Sequence, residues 1–278
     1  MIPYLHLGAF DLPTFGLMLW LAAVCGAFVL QRNFKRHGVA ADALTIVAAA
    51  TLGGVIGAKL WHELEHPVVL GTTLHALWIE LRTQPRGFFP DFLDFARSGY
   101  AWFGGMVGGI AVLLWSARSA KLRPLEMLDL AAPSAAIGYG IGRIGCHLAG
   151  DGDYGIPTNL PWGVSYVHGI DATPPGVYVH PTPIYECIYG LALGWYLWWR
   201  GGKAYPTGRI VGEYLVLAGF GRFLVEFIRI NPRIFLGLTN AQLASLGAMA
   251  AGAILMYWSG LKKPSKGHVK RAAKPVAA

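Results

Sequence analysis

The chain has 278 residues, 54% of them hydrophobic and only 14% charged, with a mean hydropathy of +0.45. A soluble domain averages about 25% charged residues, so this composition excludes an ordinary aqueous globule and makes a multi-span membrane protein the default. The net charge of +8 does not signal a nucleic-acid binder, because the basic residues lie between apolar stretches and do not cluster on one soluble face.

In chain order, apolar runs of spanning length occupy about 13–31, 43–61, 101–117, 125–145, 183–199, 208–228 and 236–260. They predict an all-α membrane protein of seven transmembrane helices. The N-terminus lacks a basic region and a small-residue cleavage site, so the first run is expected to be a retained helix and not a signal peptide. The segments after runs one, three, five and seven hold most of the Lys and Arg, among them Arg32, Lys35, Arg36, Arg118, Lys121 and Arg123. By the positive-inside rule this places the N-terminus outside and the C-terminus in the cytoplasm. Two long outer-face segments follow, about 62–100 and 146–182, the first predicted to carry a short interfacial helix near 73–82. Residues 1–261 read as one transmembrane domain. The stretch 262–278 reads as a basic, disordered cytoplasmic tail touching anionic headgroups. The three cysteines, Cys25, Cys146 and Cys187, form no disulfide framework.

Five constellations carry chemistry. His62-Glu63-Leu64-Glu65-His66 matches the zinc-protease pattern H-E-x-x-H, but Pro67 follows at once and no third ligand is placed. Phe103-Gly104-Gly105 opens the third run; its glycines either pack helices closely or form the smooth wall of an acyl-chain groove. The run Gly140-Ile-Gly142-Arg143-Ile-Gly145-Cys146-His147-Leu-Ala-Gly150-Asp151-Gly-Asp153-Tyr-Gly155 sets a permanent charge among glycines. An intramembrane arginine is a functional-site hypothesis by default, and its donor fork suits phosphate; the plain alternative is a snorkelling anchor. His180-Pro-Thr-Pro-Ile-Tyr185-Glu186 opens the fifth run with a polar cluster suited to an anionic headgroup. In the sixth run Arg222 and Glu226 are four apart and share a helix face, so Glu226 either neutralises Arg222 or aims its free donors at substrate.

Gly142-Arg143-Ile144-Gly145, with Gly150-Asp151 after it, resembles the signature of the bacterial prolipoprotein diacylglyceryl transferase family. The Gly-Gly after Phe103, the His180-Pro-x-x-x-Tyr185-Glu186 segment and the Arg222-x-x-x-Glu226-Phe-x-Arg229 run fall in the family's order and extend the resemblance over most of the chain. The chain also departs from that pattern. Phe103 stands where the family has histidine, Cys146-His147 where it has Asn-Phe, Ala149 at a later asparagine, and Phe15 and Ala218 at two tyrosines. Either Asp151 or Asp153 replaces a glutamate.

The resemblance implies a multi-pass enzyme of the bacterial plasma (inner) membrane. Its partners would be phosphatidylglycerol, prolipoprotein signal peptides with a lipobox cysteine, and membrane lipids, with no nucleic acid, metal or cofactor. A diacylglyceryl group would pass from phosphatidylglycerol to the cysteine thiol, releasing glycerol phosphate. Arg143 and Arg222 are then expected on the phosphate, with Glu226 orienting Arg222. Gly104, Gly105 and Gly142 are expected to line the substrate groove, and His180, Tyr185 and Glu186 to bind the headgroup. His147 is expected to be the base, because imidazole titrates near working pH. His180 is second in line, and Asp151 orients either one or contacts the headgroup. A homologue that binds without turnover and a zinc protease using His62, Glu63 and His66 stand as the other readings.

Overall fold

The computed structural model describes residues 1–8, 10–97 and 99–261. The tail expected at 262–278 lies outside the described residues. An antiparallel hairpin of β1 (Tyr4–Leu7) and β2 (Phe10–Pro13), with Tyr4 opposite Pro13, leads into α1 (Thr14–Arg36). Then come α2 (Ala43–Glu65), α3 (Pro67–Thr83), α4 (Pro85–Arg97), α5 (Trp102–Ser119), α6 (Pro124–Ala149), α7 (Thr182–Arg200) and α8 (Arg209–Val225). One 3₁₀ turn at Glu226–Ile228, a second hairpin of β3 (Arg233–Phe235) and β4 (Leu238–Thr239), and α9 (Asn240–Gly260) complete the order.

Each of the seven apolar runs is a helix. Three of them, α1, α2 and α9, are long and apolar enough to cross a membrane by length and composition. Their surfaces agree with that solvent: Trp20 and Phe28 on α1, and Tyr257 and Trp258 on α9, are all exposed. Apolar patches of this kind are rare on monomers in water but carry no penalty against lipid.

The segment expected to hold one short helix at 73–82 holds two, α3 and α4. Pro67 and Pro85 are the first residues of α3 and α4, where proline is well tolerated and its missing N–H favours ending the preceding helix. The described residues group into two compact units.

The first unit comprises Met1–Leu44 and the chain from Ala120 onward. In it α6 packs against α1, α7 and α8, and α8 packs against α9. Gly140 and Gly190 let α6 and α7 approach closely: a β-carbon on Gly190 would stand 3.1 Å from the Cα of Gly140. Small residues at such crossings allow backbone contact where lipid supplies no hydrophobic drive. Asp129 of α6, 2% exposed, joins α6 to α8. Its carboxylate accepts from the Gly208 N–H at 2.6 Å and the Val211 N–H at 2.9 Å, satisfying donors that the start of α8 leaves open. Thr239 and Gln242 cap α9 reciprocally, side chain to backbone, at 3.2 and 3.1 Å.

The second unit, Thr45–Ser119, pairs α2 with α5 through glycines. Gly104 is buried against Gly57 and Trp61, and Gly108, half-buried, stands close to Gly53. The missing side chain of Gly104 makes room for α2.

Asp129→Ala is expected to orphan the buried Gly208 and Val211 N–H groups, at about 1–3 kcal/mol each. Thermal unfolding in detergent should show a clear fall in Tm; an unchanged Tm would rule out a structural role for this cap.

Candidate active site

The site forms where α6 ends. Tyr139 and Arg143 lie one turn apart on this helix, and the Arg143 guanidinium sits 4.9 Å from the centre of the Tyr139 ring. Gly150 then stops the helix in a left-handed conformation, φ +61°, with its N–H on the Cys146 carbonyl at 2.9 Å. Cys146 and His147, expected in the outer segment, are therefore in the last helical turn.

After Gly150 the chain doubles back and is stitched to two distant strands of backbone. The Gly155 N–H donates to the His180 carbonyl at 2.9 Å, and the Ile156 N–H to the Ile228 carbonyl at 2.8 Å. Isolated bridges pair Gly155 with Arg229 and Pro157 with Val179. Tyr166, fully buried with its backbone N–H on the Thr173 hydroxyl, anchors the same segment. This stitching carries Asp153 into contact with both Arg143 and Arg229. The Asp153 carbonyl also accepts from Arg229 Nη1 at 3.0 Å and from the Thr182 hydroxyl.

Glu186, in the second turn of α7 and 4% exposed, is the hub. Its Oε1 accepts from Arg222 Nη1 at 2.6 Å and from the Tyr139 hydroxyl. Its Oε2 has no hydrogen bond but lies 3.4 Å from Arg143 Nε and 3.5 Å from Arg229 Nη1. Arg222, at the end of α8, also pairs with Glu226 at 2.8 Å, as its helical spacing predicts. Glu226 in turn accepts from the Asn231 amide at 2.6 Å. Three guanidinium groups and three carboxylates thus form one connected set. Burial opposes ionisation of Asp153, but Arg143 and Arg229 outweigh it and hold its carboxyl at about 2. Burial and the nearby Asp153 charge instead push the Asp151 carboxyl above the usual carboxylate range.

The expected residues therefore divide. Arg143, Arg222, Glu226 and Glu186 come together. Of the two candidate acids, Asp153 is the one bound to arginine, whereas Asp151 accepts from the Asp153 N–H at 3.4 Å. His147 Nδ1 bonds the Tyr166 hydroxyl at 2.8 Å, and His180 Nδ1 the Tyr185 hydroxyl at 3.2 Å. Tyr185 also accepts from the Trp162 indole at 2.7 Å. Among the described residues neither histidine bonds the arginines or their carboxylates. Gly142 is half-buried beside Leu19 of α1. Gly104 and Gly105 lie in the other unit.

Sequence reasoning missed Tyr139, although its position four before Arg143 on a helix was the available signal. The hub role of Glu186 had no local signal. The H-E-x-x-H pattern does not gather a metal site. Glu63 pairs with Lys59 at 2.7 Å, and His66 Nδ1 bonds the His62 carbonyl at 3.0 Å. Among the described residues the one set of three metal-ligating side chains within 4.8 Å is Cys146, Asp151 and Asp153. Asp153 there is already taken by two arginines.

Residues 3–258 match the family described as prolipoprotein diacylglyceryl transferase. Among curated relatives, the phosphatidylglycerol–prolipoprotein diacylglyceryl transferase of Clostridium tetani is 32% identical over 86% of this chain and 89% of its own length. One from Clostridium perfringens, numbered 2, is 30% identical over 88% of this chain and 89% of its own. One from Leptospira interrogans is 31% identical over 80% and 73%. Matched over nearly its whole length, with three arginines converging on one buried carboxylate, this chain belongs to the prolipoprotein diacylglyceryl transferase family.

Proposed function

We propose that this protein transfers a diacylglyceryl group from phosphatidylglycerol to the thiol of a lipobox cysteine in a prolipoprotein. The observation that supports this most is that Arg143 and Arg222, from different helices, converge on the single buried carboxylate of Glu186. Two guanidinium groups held at fixed separation suit one phosphodiester. Their grip strengthens as charge develops on the departing oxygen, which is how preorganised donors lower a barrier.

In this reading the thiolate attacks the diacylglyceryl carbon that carries the phosphate. The C–O bond breaks, a thioether forms, and glycerol phosphate leaves with the electron pair. Arg143 and Arg222 hold the phosphate. Glu226 orients Arg222, and Asp153, in place of Asp151, orients Arg143 together with Arg229. Gly142 gives the headgroup room beside Arg143, and His180 and Tyr185 stand at the entrance to α7 as headgroup contacts. Both substrates are membrane-bound, and the surrounding frame is seven spans in the bacterial inner membrane with the N-terminus outside. The loop 150–181 then lies on the outer face, where secreted preproteins present their cysteine.

Arg143→Ala and Arg222→Ala are each expected to lower transfer from labelled phosphatidylglycerol to a lipobox peptide by about 10²–10³-fold. Full transfer by either variant would remove the phosphate assignment. Asp153→Asn should cost about 10-fold or more, the scale of one lost charged hydrogen bond, and Asp151→Asn clearly less. The reverse ranking would return the orienting role to Asp151. The pH dependence follows from the depressed Asp153 carboxyl. Because its folded value, about 2, lies below its unfolded value, its stabilisation is complete above roughly pH 4 and lost as pH falls toward 2. Tm measured in detergent across that window should fall more steeply for the native protein than for Asp153→Asn; parallel curves would contradict the assignment.

A further inference from the structure

We propose that Tyr139 and Glu186 form the proton relay that ionises the acceptor thiol; the inference rests on the transfer reaction above. Glu186 is sealed in at 4% exposure, so a substrate thiol does not meet it directly. Tyr139 as a whole residue is 38% exposed, and its hydroxyl, which points inward, is the one uncharged donor to Glu186 among the described residues. The phenol therefore links a buried carboxylate to the edge of the site. Its ring lies over Arg143, which places the relay beside the group proposed to hold the phosphate. The ionisable groups that face the pair are Arg143 on α6, Arg222 on α8, Arg229 and Glu226 beyond α8, and Asp153 from the loop.

The charge balance favours a proton entering here. In the resting set, the charges of Arg143, Arg222 and Arg229 are matched by those of Asp153, Glu186 and Glu226. The departing glycerol phosphate gains one negative charge over the phosphodiester it came from. A proton delivered to Glu186 gives the cluster one compensating positive charge at the same moment, so charge is conserved within the site. In the step itself the thiol proton passes to the Tyr139 oxygen as the Tyr139 proton passes to Glu186 Oε1. The sulfur keeps the electron pair and uses it to attack carbon. The C–O bond electrons leave with the phosphate, and the proton on Glu186 returns to solvent or product along the same path. Tyr139 is thus a catalytic residue, and Glu186 acts through it.

The test compares the full-length native protein with Tyr139→Phe in phosphatidylglycerol vesicles, using a lipobox peptide and following thioether formation. Phenylalanine keeps the ring over Arg143. At about pH 6.5 the variant should lose about 100-fold in kcat, the ordinary scale of general-base catalysis, with KM for the lipid within about 3-fold. The deficit should shrink at least 10-fold near pH 9.5, where a thiol of ordinary pKa, roughly 8.5, ionises unaided. It should also shrink with a peptide carrying selenocysteine, whose selenol is already ionised. A deficit equal at both pH values, or none, overturns the relay, as does a pH-graded deficit in His147→Gln without one in Tyr139→Phe. If Tyr139→Phe fails to fold, Tyr139→Gln keeps a donor on Glu186 without passing a proton, and the same pH-graded loss is expected. A native protein that makes no thioether would fail the transfer reading itself, a result distinct from any of these.

Discussion

A carboxylate shared by three arginines organises the first unit. Glu186 receives Arg222 and Tyr139 on one oxygen and faces Arg143 and Arg229 with the other. Bare guanidinium charges in an apolar helix bundle are costly, and removing one partner from a buried pair typically costs about 3–5 kcal/mol. That constraint accounts for much of the local architecture. α6 and α7 approach through Gly140 and Gly190, bringing Arg143 and Glu186 within reach. α8 passes into a 3₁₀ turn at Glu226, which pairs with Arg222 from behind while Arg222 reaches the Glu186 hub.

Ion pairing at rest also has a chemical use. An arginine fully satisfied by carboxylates has little left for a ligand, but this set is unevenly satisfied. Glu186 Oε2 makes only long ionic contacts, and Arg229 Nε has no hydrogen bond, with Glu226 Oε2 3.7 Å away. The slack is concentrated between groups whose pairing an arriving anion would rearrange. A protein that only needed to neutralise its charges would close these contacts, as Asp129 does with the backbone of α8.

What could be read from the sequence tracks the range of the interactions. Helix positions were legible because apolar runs report burial locally. The Arg222–Glu226 pair was legible because its spacing is helical. Arg143 stood out as a charge among glycines. The choice between Asp151 and Asp153 was not legible, because it depends on the Gly150 turn and on backbone pairing to His180 and Ile228, far along the chain. The centrality of Glu186 depends on residues 43 positions before it and 36 after. The glycines of α5 were ambiguous in the sequence for another reason: close packing and a ligand groove call for the same residue, and the helix packed against them, α2, lies far from them in sequence.

The stitching of the loop after Gly150 has a consequence for how the protein is made. Arg143 is synthesised before both carboxylates that neutralise it, Asp153 and then Glu186, and before the turn bearing Arg229, which pairs with the loop at Gly155. Domains form as the chain emerges, yet this cluster is balanced only when complete: a chain ending after α6 leaves the Arg143 guanidinium without a carboxylate, and one ending after α7 leaves Asp153 and Glu186 facing a single arginine. Nascent α6 therefore has a charge at its end that keeps it near polar headgroups until α7 and α8 arrive. A chain truncated before Arg229 would keep α1, α6, α7 and α8 but lose the residue that holds the Asp153 loop against the end of α8, so the site is completed only after the helices that carry it.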